Sequence, residues 1–226
     1  MTRAAVLLVL ALALLVAGCG GSDSTTETSA SETTTQTGAG PPACAEVDAP
    51  APREDGGATQ PSERLDPEKT WTLAFDTSCG SFVVTLDVDG APATAASLVS
   101  LARSGFYDDT VFHRIVPGFV IQGGDPTQSG AGGPGYSTVD RPQSDAAYVK
   151  GVVAMAKTQA EPAGTAGSQF FVVTGDDVGL PPDYAIVGKV TKGLDVVQLI
   201  GMQGDPATEQ PLRPVVVRSV TAASTP

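Results

Sequence analysis

Between Trp71 and Val88 apolar and polar residues alternate, with Val84, Leu86 and Val88 on one side of the chain and Ser78-Cys79-Gly80 interrupting the run. Alternation puts successive side chains on opposite faces of a strand, so the stretch predicts a hairpin of two strands, Trp71–Thr77 and Ser81–Val88. After Ala91-Pro92 the period lengthens. Leu98, Leu101 and Ala102 recur at helical spacing, and proline suits a first helical position, so a helix is expected to about Ser104. Short apolar runs then return at Val111–Val116, Phe119–Gln122, Lys150–Ala156, Gln169–Thr174, Ala185–Val190 and Leu212–Val220. Each is bounded by turn-forming residues and is too short for an ordinary helix, so each reads as a strand. Gly193–Ile200 predicts a second, short helix. The total, eight strands and two helices, points to a mainly β sandwich or barrel.

The N-terminal pattern is of another kind. Arg3 precedes fourteen apolar residues, Ala4 to Ala17. That is too short for a hydrocarbon core, which needs about 20 residues, but it suits a secretory leader. The run ends in Leu15-Val16-Ala17-Gly18-Cys19, which resembles a bacterial lipobox. Cleavage before Cys19 and lipidation of its thiol are therefore expected, with the chain held at the extracytoplasmic side of a cell membrane by that lipid alone. Residues 20–42 are rich in Ser, Thr and Gly and carry no aromatic residue. Such a segment buries too little apolar surface to offset its ordering entropy. The expected organisation is a signal peptide over 1–18, a disordered tether over 19–42, an irregular Pro/Gly-rich extension over 43–70, and a globular domain over 71–223.

Composition agrees and narrows the function classes. Hydrophobic residues make up 41% of the 226, enough for a core, and 26 Gly with 18 Pro fit a turn-rich β fold. The formal charge is −12, becoming −13 when Arg3 leaves with the leader. Such a chain is a poor ligand for nucleic acid, where cationic side chains dominate affinity. Of three cysteines, lipidation takes Cys19, and an oxidising compartment favours a disulfide between Cys44 and Cys79 over two free thiols.

With those cysteines committed, no thiol nucleophile remains. His113 is the sole histidine, so a Ser/His/Asp triad would have to use it, and no Gly-x-Ser-x-Gly elbow occurs. No His/Cys cluster has zinc spacing, and the glycine runs are neither a dinucleotide nor a Walker pattern. No metal or other cofactor is expected. An enzyme of this composition would suit a reaction without acid–base or covalent steps. Rotation about an X–Pro bond is one: no bond breaks, yet the amide barrier is about 18–20 kcal/mol.

The run Phe106-Tyr-Asp-Asp-Thr-Val-Phe-His-Arg-Ile-Val-Pro-Gly-Phe-Val-Ile-Gln-Gly-Gly124 resembles the cyclophilin signature over nineteen residues. Three further blocks follow in the family's order: Gly151–Lys157, Gly167–Val172 and Leu180–Val190. The resemblance covers about 73–222. It implies a closed eight-stranded antiparallel barrel capped by two helices and peptidyl-prolyl cis-trans isomerase activity. Arg114 matches the catalytic arginine. Phe119, Val120, Phe171, Leu180 and Tyr184 match the pocket for the proline ring, although barrel core is an equally natural place for such residues on periodicity alone. Gln122 and Gln169 match polar groove residues, Ala156, Lys157 and Thr158 the edge that pairs with a bound peptide, and Gly130 the loop closing the groove. The implied partners are proline-containing unfolded or extended polypeptides, met by a monomer. This chain departs from common family residues at Val120 (often Met), Lys157 (often Asn), Tyr184 (often His) and Gly179, where cyclosporin-sensitive members carry Trp. The alternative function is a non-catalytic peptide-binding chaperone module.

Overall fold

The computed structural model describes residues 43–226; the expected leader, the Cys19 lipidation site and the tether lie outside the described residues. The elements run β1 (Thr70–Thr77), β2 (Gly80–Leu86), α1 (Pro92–Arg103), β3 (Thr110–Val111), β4 (Arg114–Val116), β5 (Val120–Gly123), β6 (Thr138–Val139), β7 (Val152–Met155), β8 (Thr165–Ala166), β9 (Phe170–Val173), β10 (Ile186–Lys192), α2 (Leu194–Gly201) and β11 (Val216–Thr225). Nine strands form one antiparallel sheet in the order β3-β11-β1-β2-β10-β7-β9-β5-β4.

The two end strands, β3 and β4, are consecutive in the chain and separated only by Phe112 and His113. The expected single strand 111–116 is thus one bent strand. Its first half pairs with β11 (Val216 opposite Val111) and its second half with β5 (Arg114 opposite Gln122). The bend has a hydrogen-bonding cause: the Phe112 N–H still donates to Val215 O at 3.0 Å, whereas the Ile115 N–H donates to Glu209 O in the α2–β11 loop at 2.8 Å. The sheet therefore curls round and is joined by the chain itself, and β3–β4 taken as one strand gives the eight expected. The mainly β class with two helices is as expected, and closure comes from the bend rather than from a continuous ladder. The small β6–β8 pair stands outside the sheet; two-residue strands show no alternation and were not expected. The last strand starts later and ends later than the run 212–220 suggested. Leu212 instead donates to Gln203 O at 2.7 Å, and Pro214 has no N–H to give a ladder.

The interior is apolar and aromatic. Phe75 stacks on Phe82 at 4.6 Å, and Phe170 meets Phe75, Tyr107 and Phe112 in tilted or edge-on contacts. Helix α1 buries Leu98, Val99 and Leu101 against this core, and α2 buries Val197 and Ile200. The N-terminus of α1 has no cap from its own chain neighbours. Asp140 supplies one from a distant loop: its carboxylate accepts from the Thr94 N–H at 2.7 Å and the Thr94 hydroxyl at 2.6 Å. Cys44 and Cys79 form a disulfide with an S–S distance of 2.03 Å. Beside it the Ala45 N–H donates to Ser78 O at 2.7 Å. Residues 43–66 form neither helix nor strand.

Candidate active site

The period of two decides what the apolar strand residues do. Along β9, Phe170 and Val172 point into the main core, while Phe171 and Val173 belong to a second apolar cluster on the other face. The same alternation splits β7, with Val153 and Met155 inward and Val152 and Ala154 outward, and β5, with Ile121 inward and Val120 outward. Phe119, Leu180, Tyr184 and Ala156 pack against this outer cluster. The five residues expected as a proline pocket are therefore not barrel core. They form the floor and walls of a surface groove.

That groove has two compartments. One, of about 290 Å³, is lined by Arg114, Phe119, Val120, Gln122, Ala156, Lys157, Phe171, Leu180 and Tyr184. The other, of about 440 Å³, shares Gln122, Ala156 and Lys157 with it and adds Gly130, Thr158 and Gln169. All twelve groove residues expected from the sequence thus come together on one face. Gly130 is in the left-handed region at φ +81°, where a side chain is strained, and a Cβ there would lie 3.7 Å from the His113 ring.

Arg114 reaches this face because β4 alternates: Ile115 goes into the core and Arg114 out. A polar relay fixes its guanidinium. Nε donates to Glu209 Oε2 at 2.7 Å and Nη1 to Gln122 Oε1 at 3.4 Å, the longest link. Gln122 Nε2 then donates to Gln169 Oε1 at 3.0 Å, and Gln169 Nε2 to Gly132 O at 2.9 Å. Two of the five guanidinium N–H groups are used, so three remain directed by the same plane. Glu209 is a site residue the sequence reading missed. It lies 95 residues from Arg114, in an irregular loop without periodicity, so nothing local marks it.

Tyr148 was missed too. It stacks edge-on with Tyr184 and tilts against Phe171, while its hydroxyl donates to Tyr184 O at 2.7 Å and accepts from the Tyr184 N–H at 3.0 Å. These contacts lock the Tyr184 wall. Lys157 turns its ammonium away to Asp183 at 2.5 Å, leaving that side chain only 3% exposed. The same ammonium lies 5.5 Å from the centre of the Tyr184 ring.

Two ionisable groups stand behind the groove. Burial pushes the Asp125 carboxyl upward, but hydrogen bonds outweigh it: the Thr127 hydroxyl and N–H and the Gly132 and Gly130 N–H groups all donate, and its pKa is lowered. Asp125 thereby ties together the loop that carries Gly130. His113 has its pKa lowered, first by burial and also by Arg114, against the pull of Asp125. Its ring nitrogens have no hydrogen-bond partner among the described residues. The nearby Gln169 amide is committed to Gln122 and Gly132. His113 is accordingly a neutral, packed ring at neutral pH.

The site is thus a surface groove with an apolar pocket and an oriented guanidinium at its rim, backed by a neutral histidine. The family follows from comparison. The model for cyclophilin type peptidyl-prolyl cis-trans isomerase matches residues 72–222, and the chain belongs to this family; it is a peptidyl-prolyl cis-trans isomerase. It is 37% identical over 172 residues to peptidyl-prolyl cis-trans isomerase A of Mycobacterium tuberculosis, covering 69% of this chain and 93% of that protein. It is 36% identical over 149 residues to peptidyl-prolyl cis-trans isomerase-like 1 of Aspergillus oryzae, covering 64% and 91%. A crystal structure of a cyclophilin type isomerase from Cryptosporidium parvum, obtained in the presence of the dipeptide Ala-Pro, superposes with a TM-score of 0.63 at 28% identity, covering 68% of this chain and 99% of that one.

Proposed function

We propose that the 290 Å³ compartment takes the proline ring of an extended polypeptide and that Arg114 stabilises the prolyl amide as it twists. The volume sits at the lower end of ligand pockets, about 300 Å³ upward, which suits one side chain better than a whole small molecule. Twisting the C–N bond removes its conjugation, and the nitrogen gains a lone pair. A guanidinium N–H can donate to that lone pair only in the twisted state, so the bond lowers the barrier without tightening ground-state binding. Gln122 and Glu209 hold the guanidinium in plane, and the main chain at Ala156–Thr158 pairs with the substrate backbone. No proton is transferred and no intermediate forms, which suits a site whose histidine stays neutral.

The observation that carries this reading is Arg114 at the rim of an apolar pocket with its fork oriented by two partners. Exchange spectroscopy on an Ala-Pro peptide tests it. The Arg114→Ala variant is expected to lose about 100-fold or more in kcat/KM, the usual effect of removing one transition-state donor. Turnover equal to wild type would overturn the assigned role. Binding without turnover in the wild type would favour the non-catalytic module.

The clients are proposed to be exported or cell-surface proteins, since Leu15–Cys19 reads as a lipidation site and the tether as a spacer from the membrane. Membrane fractionation of Cys19→Ala tests this. Release into the soluble fraction is expected; unchanged membrane association would refute the lipid anchor.

A further inference from the structure

The second compartment of the groove has a wall from outside the stretch that the family model matches. The family match begins at residue 72, yet Asp55 lines this compartment. The extension is seated there by main-chain bonds. The Arg53 N–H donates to Pro126 O at 2.8 Å, the Gly56 N–H to Gly133 O at 2.9 Å and the Ala58 N–H to Pro134 O at 3.1 Å. Gln128 Nε2 holds Pro50 O at 2.8 Å, and the Gly133 N–H donates to Asp55 Oδ1 at 2.7 Å. The approach is closest at Gly56 and Gly135: a Cβ on Gly135 would stand 3.2 Å from Gly56 Cα, and both residues have positive φ. Residues 50–58 are thus a strap laid along the loop that carries Gly130.

The strap changes the charge of the groove. Three charged residues line the compartment: Asp55, Lys157 and Glu161. The Lys157 ammonium is neutralised by Asp183, and it also donates to the main-chain oxygens of Thr158 and Glu161. Glu161 uses one carboxylate oxygen on the Thr158 N–H and hydroxyl, and Asp55 uses one on Gly133. Neither Asp55 nor Glu161 forms an ion pair among the described residues. Two carboxylates with free oxygens therefore face a space that shares three residues with the compartment assigned to proline.

We infer that residues 50–58 are a specificity strap, and that Asp55, with Glu161, selects substrates carrying a lysine or arginine close to the proline. This rests on the proposed placement of the proline ring in the neighbouring compartment. Because the two compartments abut through Gln122, Ala156 and Lys157, the selected side chain belongs within three residues of the proline, given a rise of about 3.3 Å per extended residue. Asp55 is exposed, so the attraction is moderate and screened by salt.

The test uses the protein with residues 43–226 intact and a set of Ala-Pro peptides. Lys, Ala or Glu is placed in turn at each of the three positions on either side of proline. Exchange rates and calorimetric affinities are both measured, and each variant is scored by its own Lys-to-Glu ratio, so overall activity cancels. At low salt one position is expected to show a ratio of about three to ten, shrinking in 0.5 M NaCl. Asp55→Asn keeps the acceptor for Gly133 and should lower the ratio at that position; Asp55→Lys should bring it to one or below. A ratio near one at every position in the wild type, or a wild-type ratio that persists in both variants, overturns the inference. Failure of the isomerase reading is separate: no peptide would then be turned over, while the affinity ratios would still score the strap.

Discussion

Arg114 is 35% exposed, and a free arginine at that level of exposure would spread over several rotamers. Glu209 removes much of that freedom at Nε, from a backbone held at φ +60° and pinned by its own carbonyl to the Ile115 N–H. An ion pair this exposed adds at most about 1 kcal/mol to stability. Its effect should appear instead in the alignment of the remaining donors. Glu209→Gln is expected to unfold at nearly the wild-type urea concentration while kcat/KM falls about three- to tenfold, mostly in kcat, since 1.36 kcal/mol is a factor of ten. An unchanged kcat would show that Gln122 alone orients the guanidinium. The neutral histidine leads to a second expectation. His113 is held below its ordinary pKa, first by burial, so it takes up its proton at a lower pH than a free histidine does. Turnover should therefore show no step centred on the ordinary histidine value of about 6.5; a sigmoidal loss with its midpoint there would mean that His113 titrates as an unburied ring in the working site. Stability carries the opposite lesson at lower pH. The folded pKa values of His113 and Asp125 are both lowered, so the unfolded chain takes up protons first. Their contributions are complete above the unfolded values. That of His113 declines as pH falls below its unfolded value of about 6.5, and that of Asp125 below its unfolded value of about 3.9.

Elements owe their placement to a few such contacts between distant parts of the chain. Helix α1 starts at Pro92 with its first N–H groups uncapped locally, and Asp140 from 46 residues away accepts from Thr94. Asp140→Ala removes both the cap and a negative charge at the helix N-terminus. It should lower stability by about 1–2 kcal/mol, read as a shift in urea midpoint with unchanged slope. No loss of stability would mean that water caps the helix equally well. Long-range caps of this kind are invisible to a local reading, and the same is true of the break at Phe112–His113. The residues 111–116 do have strand propensity; what splits them is a partner, Glu209 O, nearly a hundred positions downstream. Alternation in β5, β7 and β9 was legible, but these strands are apolar on both faces, so period two alone could not say which face was core. Only the family resemblance separated Phe171 from Phe170 before the structure did. The resemblance did not supply Glu209 or Tyr148, which lie in irregular stretches outside its four blocks, or Asp55, which precedes the family match.

At the scale of the molecule, the disulfide joins the two parts that the family pattern does not connect. Cys44 lies in the extension and Cys79 in the β1–β2 turn, a sequence separation of 35 residues. Between them the chain makes the strap along the second compartment before it enters β1. The extension has no hydrophobic core of its own: Cys44, Ala58 and Leu65 are its residues packed against the main cluster. It is therefore held by scattered hydrogen bonds, the Glu46–Arg213 ion pair and this one covalent link. Closing a loop of that length restricts the unfolded chain by about 4 kcal/mol in the entropic account, an upper expectation where the unfolded state keeps structure. Replacing both cysteines, Cys44→Ser with Cys79→Ser, should lower the unfolding free energy by about 2–4 kcal/mol. The groove residues from Arg114 to Tyr184 all lie downstream of the loop the disulfide closes, so the folded double variant should still isomerise an Ala-Pro peptide. Its strap, by contrast, should exchange amide hydrogens at Arg53, Gly56 and Ala58 faster than wild type, because local opening no longer works against a fixed end. Equal protection at these three amides in both proteins would show that the main-chain bonds to 126–134 seat the strap unaided, and the disulfide would then serve global stability alone.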